Sequence, residues 1–219
     1  MGLRLRLAAA WTPEATLLRE LDRAEELTVR ALDGLLAQHA PGALEGVKGE
    51  DAPPSGPGLV PRRAAMAQAH TARVEALIGA VGREKAVELG RTAMREVGVR
   101  LGEDARARLG VGGSVDDLVL AARVMYRVLG IVFRVDRPSP DRAVLRVSRC
   151  ALSDWYTEEA CLVLSAADEG VVRGLNPAIG MTFSRRISCG AAECEAEIVV
   201  GPSAEGPVDT VPAVEEVGS

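Results

Sequence analysis

The side chains able to do chemistry gather in one stretch of this 219-residue chain, Arg149–Val200, which holds all four cysteines. Cys150 closes a run rich in β-branched residues. Cys161 and Asp168 follow about two helical turns apart, on a segment expected to be helical from Ser153 or Asp154 to about Val172. On that helix Tyr156, Ala160, Val163, Leu164, Ala167 and Val171 form a core face, and Asp154, Glu158, Cys161, Ser165 and Asp168 fall opposite. Cysteine is among the most buried residue types, so Cys161 within the polar stripe predicts that this face is covered, as the wall of a pocket would be. Cys150, one cap upstream, is expected to feel the positive end of the helix dipole and shift toward thiolate.

Three chemistries fit these residues. A thiolate nucleophile at Cys150 or Cys161, with Asp168 as general base or orienter, would serve hydrolysis, and Arg185 or Arg186 would hold a substrate carboxylate by a bidentate contact. Cys150, Cys161 and Cys194 are also candidate metal ligands, with zinc as the metal. Their spacings lack the paired C-x2-C knuckles of zinc modules, and nothing in the sequence requires a cofactor. The third reading makes the thiols small apolar core residues. Cys194 points to the apolar face of its strand, and Cys189 fits no pattern. Of the two histidines, His39 ends a helix, and His70 sits on a core helix within reach of a pocket, read first as a satisfied core or surface residue. The chain has no G-x-S-x-G elbow, phosphate-binding glycine loop, H-E-x-x-H or dinucleotide fingerprint, which disfavours serine hydrolases, nucleotide enzymes and zinc proteases.

The elements that must position these residues run helices first, then sheet. Thr12 as cap and Pro13 at the first turn open an amphipathic helix to about Gln38, whose leucine stripe needs a partner in its own domain or in a second copy, a homodimer through this helix. The prolines and glycines of 41–63 read as a linker, and a core domain follows over 64–200. Two helices meet near Gly79–Arg83. Gly90 and Gly98 in the second mark either close helix–helix approach or a turn. Ser114 caps a further helix to Gly130, apolar most of the way round and so read as the central buried one. Two strands, Ile131–Val135 and Ala143–Cys150, precede the cysteine helix. Met181–Ser188 then alternates as a strand, with Arg185 on the side of Met181 and Arg186 opposite, and Cys194–Val200 alternates after it. Strand, strand, helix, strand, strand after a run of helices predicts α+β with an antiparallel sheet. From Gly201 the chain reads as a disordered acidic tail.

Composition narrows the function classes. Net charge is −5 with arginines dispersed among acids, so no footprint for nucleic acid is present. No apolar run approaches the roughly 20 residues of a membrane span, and the short patch after Arg6 is too brief for a secretory signal. The expectation is a cytoplasmic protein whose partner is a small molecule, with reduced thiols.

Roughly Ala64–Val200 resembles the L-2-amino-thiazoline-4-carboxylic acid hydrolase family. The likeness rests on the strand ending in Cys150, on Trp155 and Cys161 in the following segment, and on Asp168 beyond them. Leu175-Asn176-Pro177 before a strand, Gly190 with Cys194, and the helices Glu84–Gly98 and Asp116–Gly130 complete it. The resemblance implies a small cytoplasmic α+β protein that opens the thiazoline ring of a cyclic amidine acid to give a carbamoyl-cysteine. Cys161, Asp168 and Cys150 would be its catalytic residues, and Trp155, Asn176, Arg185 and Arg186 would contact substrate. The helix-then-sheet order with late cysteines is also similar to vinyl-reductase-type (V4R) small-molecule-binding domains, which implies binding or sensing without catalysis.

Overall fold

The computed structural model describes residues 3–50, 54–139 and 141–201. Its spine is a pair of helices, α5 (Arg83–Leu109) and α7 (Glu158–Leu175). Helix α7 starts where Thr157 accepts a hydrogen bond from the Ala160 amide (3.2 Å), with Glu158 and Glu159 at its positive end. Helix α5 stops at Gly110, whose φ of 67° an L side chain would strain. The two pack through glycine: a Cβ built on Gly98 would sit 2.0 Å from the Ala167 carbonyl oxygen, and one on Gly174 2.2 Å from that of Val99. Gly98 therefore marks close approach and no turn.

An ion triad locks the same pair of helices. Glu169 of α7 is buried and accepts from Arg91 Nη2 (3.2 and 3.3 Å) and Arg95 Nη2 (3.1 Å), both on α5. Removing one member of a buried pair strands the other's charge. Glu169→Ala is therefore expected to cost about 3 kcal/mol in a urea melt, and Glu169→Gln less, since it keeps an acceptor. Equal stability of Glu169→Ala and the parent would show that the triad is not a clamp.

The sheet is antiparallel in the order β1 (Ile131–Ser139), β2 (Arg142–Cys150), β4 (Cys194–Val200), β3 (Ile179–Arg185), so the α+β expectation holds. Alternation puts Ala143, Leu145 and Val147 of β2, Cys194, Ala196 and Ile198 of β4, and Ile179, Met181 and Phe183 of β3 on the buried face. They pack against Val172 and Leu175 of α7 and Leu118, Ala121 and Tyr126 of α6 (Val115–Leu129). Ser114 caps α6 by accepting from the Asp117 amide at 3.1 Å. This helix covers the sheet with one face and leaves Asp116 and Arg123 exposed, so the central position expected for it belongs to α5 and α7.

The alternation of β3 breaks where the sequence pattern continued it. The register with β4 shifts between Phe183 and Arg185, the strand ends at Arg185, and Ile187–Cys189 forms a 3-10 turn. The extra residue flips the phase. Arg185 is exposed and Arg186 is buried, so the two arginines are not interchangeable.

Helices α1 (Leu3–Ala10), α2 (Glu14–His39), α3 (Pro41–Glu50) and α4 (Leu59–Val81) form a second layer. Thr12 does not cap α2; its hydroxyl donates to the Ala8 carbonyl (2.9 Å) and Pro13 takes the cap position. The leucine stripe of α2 is covered within the chain. Leu17 and Leu21 meet Met66, Val128 and Leu152, while Leu32 meets Val74, Met94 and Val163. The surface offered for a homodimer is thereby spent internally. Pro41–Glu50, read as linker, is helical because Leu44 and Val47 find Leu36, Leu77 and Ala86 to pack on, and α4 begins at Leu59, ahead of the expected boundary at 64. The tail expected after Gly201 lies outside the described residues. Among the described residues no helix is long and apolar enough to cross a membrane.

Candidate functional site

Helices α5, α6 and α7, the sheet and the N-terminal layer line a partly open cavity of ≈ 340 Å³. Its walls are mostly apolar, among them Leu17, Met66, Leu101, Met125, Leu129, Leu164 and Phe183. Cys150, Cys161, Asp168, Arg186 and Cys194 interrupt them. The polar stripe of α7 faces this space: Cys161, Ser165 and Asp168 all line it. Ala8, Thr12, Leu17, Ala24 and Thr28 close the cavity from α1, its connection to α2, and α2 itself.

Asp168 is the acid of the site. It keeps some accessible surface only because it borders the cavity, and protein surrounds it. Burial, reinforced by neighbouring Glu169, pushes its carboxyl from 3.8 up to about 7; Tyr126 and Arg186 act against that rise. The Tyr126 hydroxyl has its own pKa raised well above the usual value by burial and by Asp168.

The thiols behave differently from expectation. Cys150 is not at a helix cap, because the turn through Trp155 separates it from α7, which begins at Glu158. Burial raises its pKa to about 11 against the pull of the Leu152 and Ser153 amides, and raises that of Cys161 to about 12. Both are neutral thiols at physiological pH. Cys194 accepts from the Ile187 amide (3.3 Å) and its pKa is raised by burial, while Cys189 is exposed. Among the described residues no group of three His, Cys, Asp or Glu side chains converges to hold a metal ion.

Arg186 is 8 % exposed and lines the cavity. Its Nε donates to Ser165 Oγ (3.1 Å) and its guanidinium lies over the Phe183 ring, 5.5 Å from the centroid. Trp155, 44 % exposed, Arg185 and Asn176 are not part of the cavity wall. Asn176 is occupied in the loop, donating to the Gly113 carbonyl and accepting from the Ala178 amide, both at 3.0 Å.

Sequence reasoning passed over Tyr126, while the core-facing places it gave Tyr156 and His70 are the ones observed. His70, 2 % exposed, lines the cavity beside Tyr156. Thr28 spends its proton on the Ala24 carbonyl (2.8 Å) and so accepts from His70 Nε2 (2.7 Å). His70 Nδ1 then accepts from the Tyr156 hydroxyl (2.9 Å), a tautomer assigned from these partners. Burial, with Arg73 adding to it, lowers the His70 pKa to about 3, so the ring is neutral. The signal was available in the helical spacing, since Thr28 and His70 fall on buried faces of α2 and α4.

Fold and site together define a small α+β domain with a mostly apolar cavity that carries a buried acid, a buried guanidinium, the paired Glu20 and Arg108, and neutral thiols. The model of the L-2-amino-thiazoline-4-carboxylic acid hydrolase family matches residues 62–198, and the chain belongs to that family. Helices α1–α3 lie outside the match. Among solved structures the chain is similar to a trafficking protein particle complex subunit 3 from Naegleria fowleri, crystallised covalently bound to palmitic acid. The likeness has a TM-score of 0.52 at 15% identity and covers 63% of this chain and 94% of that one. At that identity the likeness is one of fold alone. No curated protein matches the chain.

Proposed function

We propose that the chain is a cytoplasmic hydrolase that opens a small cyclic amidine at a carbon–nitrogen or carbon–sulfur bond, with Asp168 as general base. The observation that carries this reading is an enclosed carboxyl held near pH 7 on a cavity wall, where a base is both half-available and able to return its proton. Water adds to the amidine carbon and Asp168 takes its proton. The ring bond breaks, and the proton returns to the departing sulfur or nitrogen. Moving a proton from Cys161 near 12 to Asp168 near 7 would cost about 7 kcal/mol, so the thiols act as neutral walls in this reading and not as the nucleophile. The family match supports the reaction class.

Turnover of 2-amino-thiazoline-4-carboxylate, followed by release of carbamoyl-cysteine, tests this. Asp168→Asn is expected to lower turnover about 10²- to 10⁴-fold, whereas Cys161→Ser stays within about tenfold. An equal loss in Cys161→Ser would replace the water route by a covalent one, and unchanged turnover in Asp168→Asn would remove the base.

The apolar walls favour a second reading, a V4R-like binding or sensing module. The similarity of fold to a subunit that carries palmitic acid agrees with it. That reading predicts saturable binding with no product.

A further inference from the structure

Arg186 is a buried cation to which the described residues supply no ion pair. Among the described residues its Nε alone finds a partner, Ser165 Oγ, and that partner is neutral. Nη2 is fully buried with no acceptor, and among the described residues no carboxylate pairs with the guanidinium. A guanidinium removed from water without an anion is costly, and stacking on Phe183 offsets little of that cost. Asp168 on the same wall feels the Arg186 charge, makes no ion pair with it, and is about half neutral at pH 7. Arg91 and Arg95, on the far side of α7, show the alternative: there the chain supplies Glu169. At Arg186 it supplies the edge of a cavity instead.

The rest of that cavity sets the other half of the requirement. Away from Arg186 and Asp168 it runs between Leu17, Met66, Leu101, Val128 and Leu152, and the charges that also line it there, Glu20 and Arg108, are spent on each other at 2.6 and 2.9 Å. An amino-acid-sized ring would fill the Arg186 end, and the apolar end has room for a further apolar body. Leu17 belongs to α2, so the apolar end is completed by a helix that precedes the family match.

We propose that the cavity takes an organic monoanion with an extended apolar body, its carboxylate headed on Arg186 and its body running toward α2. This rests on the reading that the cavity is the working site, and it names the class of molecule that site accepts.

Isothermal titration of the full chain with decanoate, decanol and decylammonium tests it, because the three share a body and differ in the head. Decanoate is expected to bind about tenfold or more tighter than decanol, with decylammonium weakest, and to inhibit turnover of the thiazoline acid competitively. Arg186→Gln should bring decanoate down to the affinity of decanol while leaving decanol unchanged. Leu17→Trp should weaken both by filling the far end. Equal binding of decanoate and decanol, or decylammonium as the tightest, overturns the assignment whether or not the Arg186 variant folds. If the amidine is turned over and decanoate neither binds nor competes, the assignment falls and the hydrolase reading stands. Decanoate binding without turnover keeps the assignment and removes the hydrolase.

Discussion

Replacing Gly98 by alanine is expected to cost at least about 3 kcal/mol, and replacing it by valine to prevent folding. The reason is what a methyl group would meet. At Gly98 it lies 2.0 Å from the Ala167 oxygen and 2.8 Å from its carbonyl carbon, and at Gly102 2.3 Å from the Val171 oxygen. The reciprocal pair behaves alike, with Gly170 2.2 Å from the Arg95 oxygen and Gly174 2.2 Å from the Val99 oxygen. All four obstacles are backbone atoms of a facing helix, so no side chain can rotate away and the helices themselves must part. Parting them breaks the Glu169 triad and opens the cavity wall that α7 carries. Gly90 is the milder case, because its obstacle at 2.8 Å is the Val163 side chain. Gly34 supplies the control. It lies inside α2 with nothing within 4 Å, so Gly34→Ala should stabilise by roughly 0.5–1 kcal/mol through propensity alone. Urea melts of Gly98→Ala and Gly34→Ala check the pair, and a Gly98→Ala protein as stable as the parent would mean that the seam is looser than its geometry states.

The same glycines show how far the sequence could be read. Gly90 and Gly98 inside a helical pattern are costly residues, which signalled either contact or a turn, yet only the partner helix decides between them, and Gly170 and Gly174 were not weighed with them. The polar stripe of α7 was legible because helical spacing is local: Cys161, Ser165 and Asp168 fall together from periodicity alone, and Cys161 marked the stripe as covered. What faced the stripe was not legible. Arg186 reaches the cavity because the strand slips phase near Ser184, a shift set by pairing with Glu195 and Ala196 across the hairpin. Cys150 was assigned a dipole from a helix that starts beyond an intervening turn, at Glu158. Glu169 carries no signal within its own helix, because its partners Arg91 and Arg95 come from α5. Pro41–Glu50 lacked a periodicity of its own and is helical through its neighbours. In each case the missing information was a contact distant in sequence.

Asp168→Asn is expected to stabilise the protein at pH 8 while stopping turnover, and the pH dependence identifies why. The Asp168 carboxyl rises from 3.8 in an open chain to about 7 in the fold. Between those values the native state holds a proton that the unfolded chain has released, so this group's contribution is fully present below about pH 4 and is lost as pH rises to about 7. Ionising the buried acid thus costs the fold up to about 4 kcal/mol at pH 8, an upper limit that the amide variant avoids. His70 runs the other way. Its ring falls from 6.5 to about 3, so its contribution is present above about pH 6.5 and is lost as pH falls toward 3. The two are similar in size and opposite in sign over a shared window, so the parent's stability should change little between pH 4 and 6.5. Asp168→Asn removes one of them and exposes the other: its urea midpoint should climb through that window and exceed the parent's most at pH 8. A variant whose profile parallels the parent's at every pH would mean that Asp168 is ionised and solvated in the fold. It would then lose both its stability cost and its fitness as a base near neutrality, because one enclosure produces the two effects together.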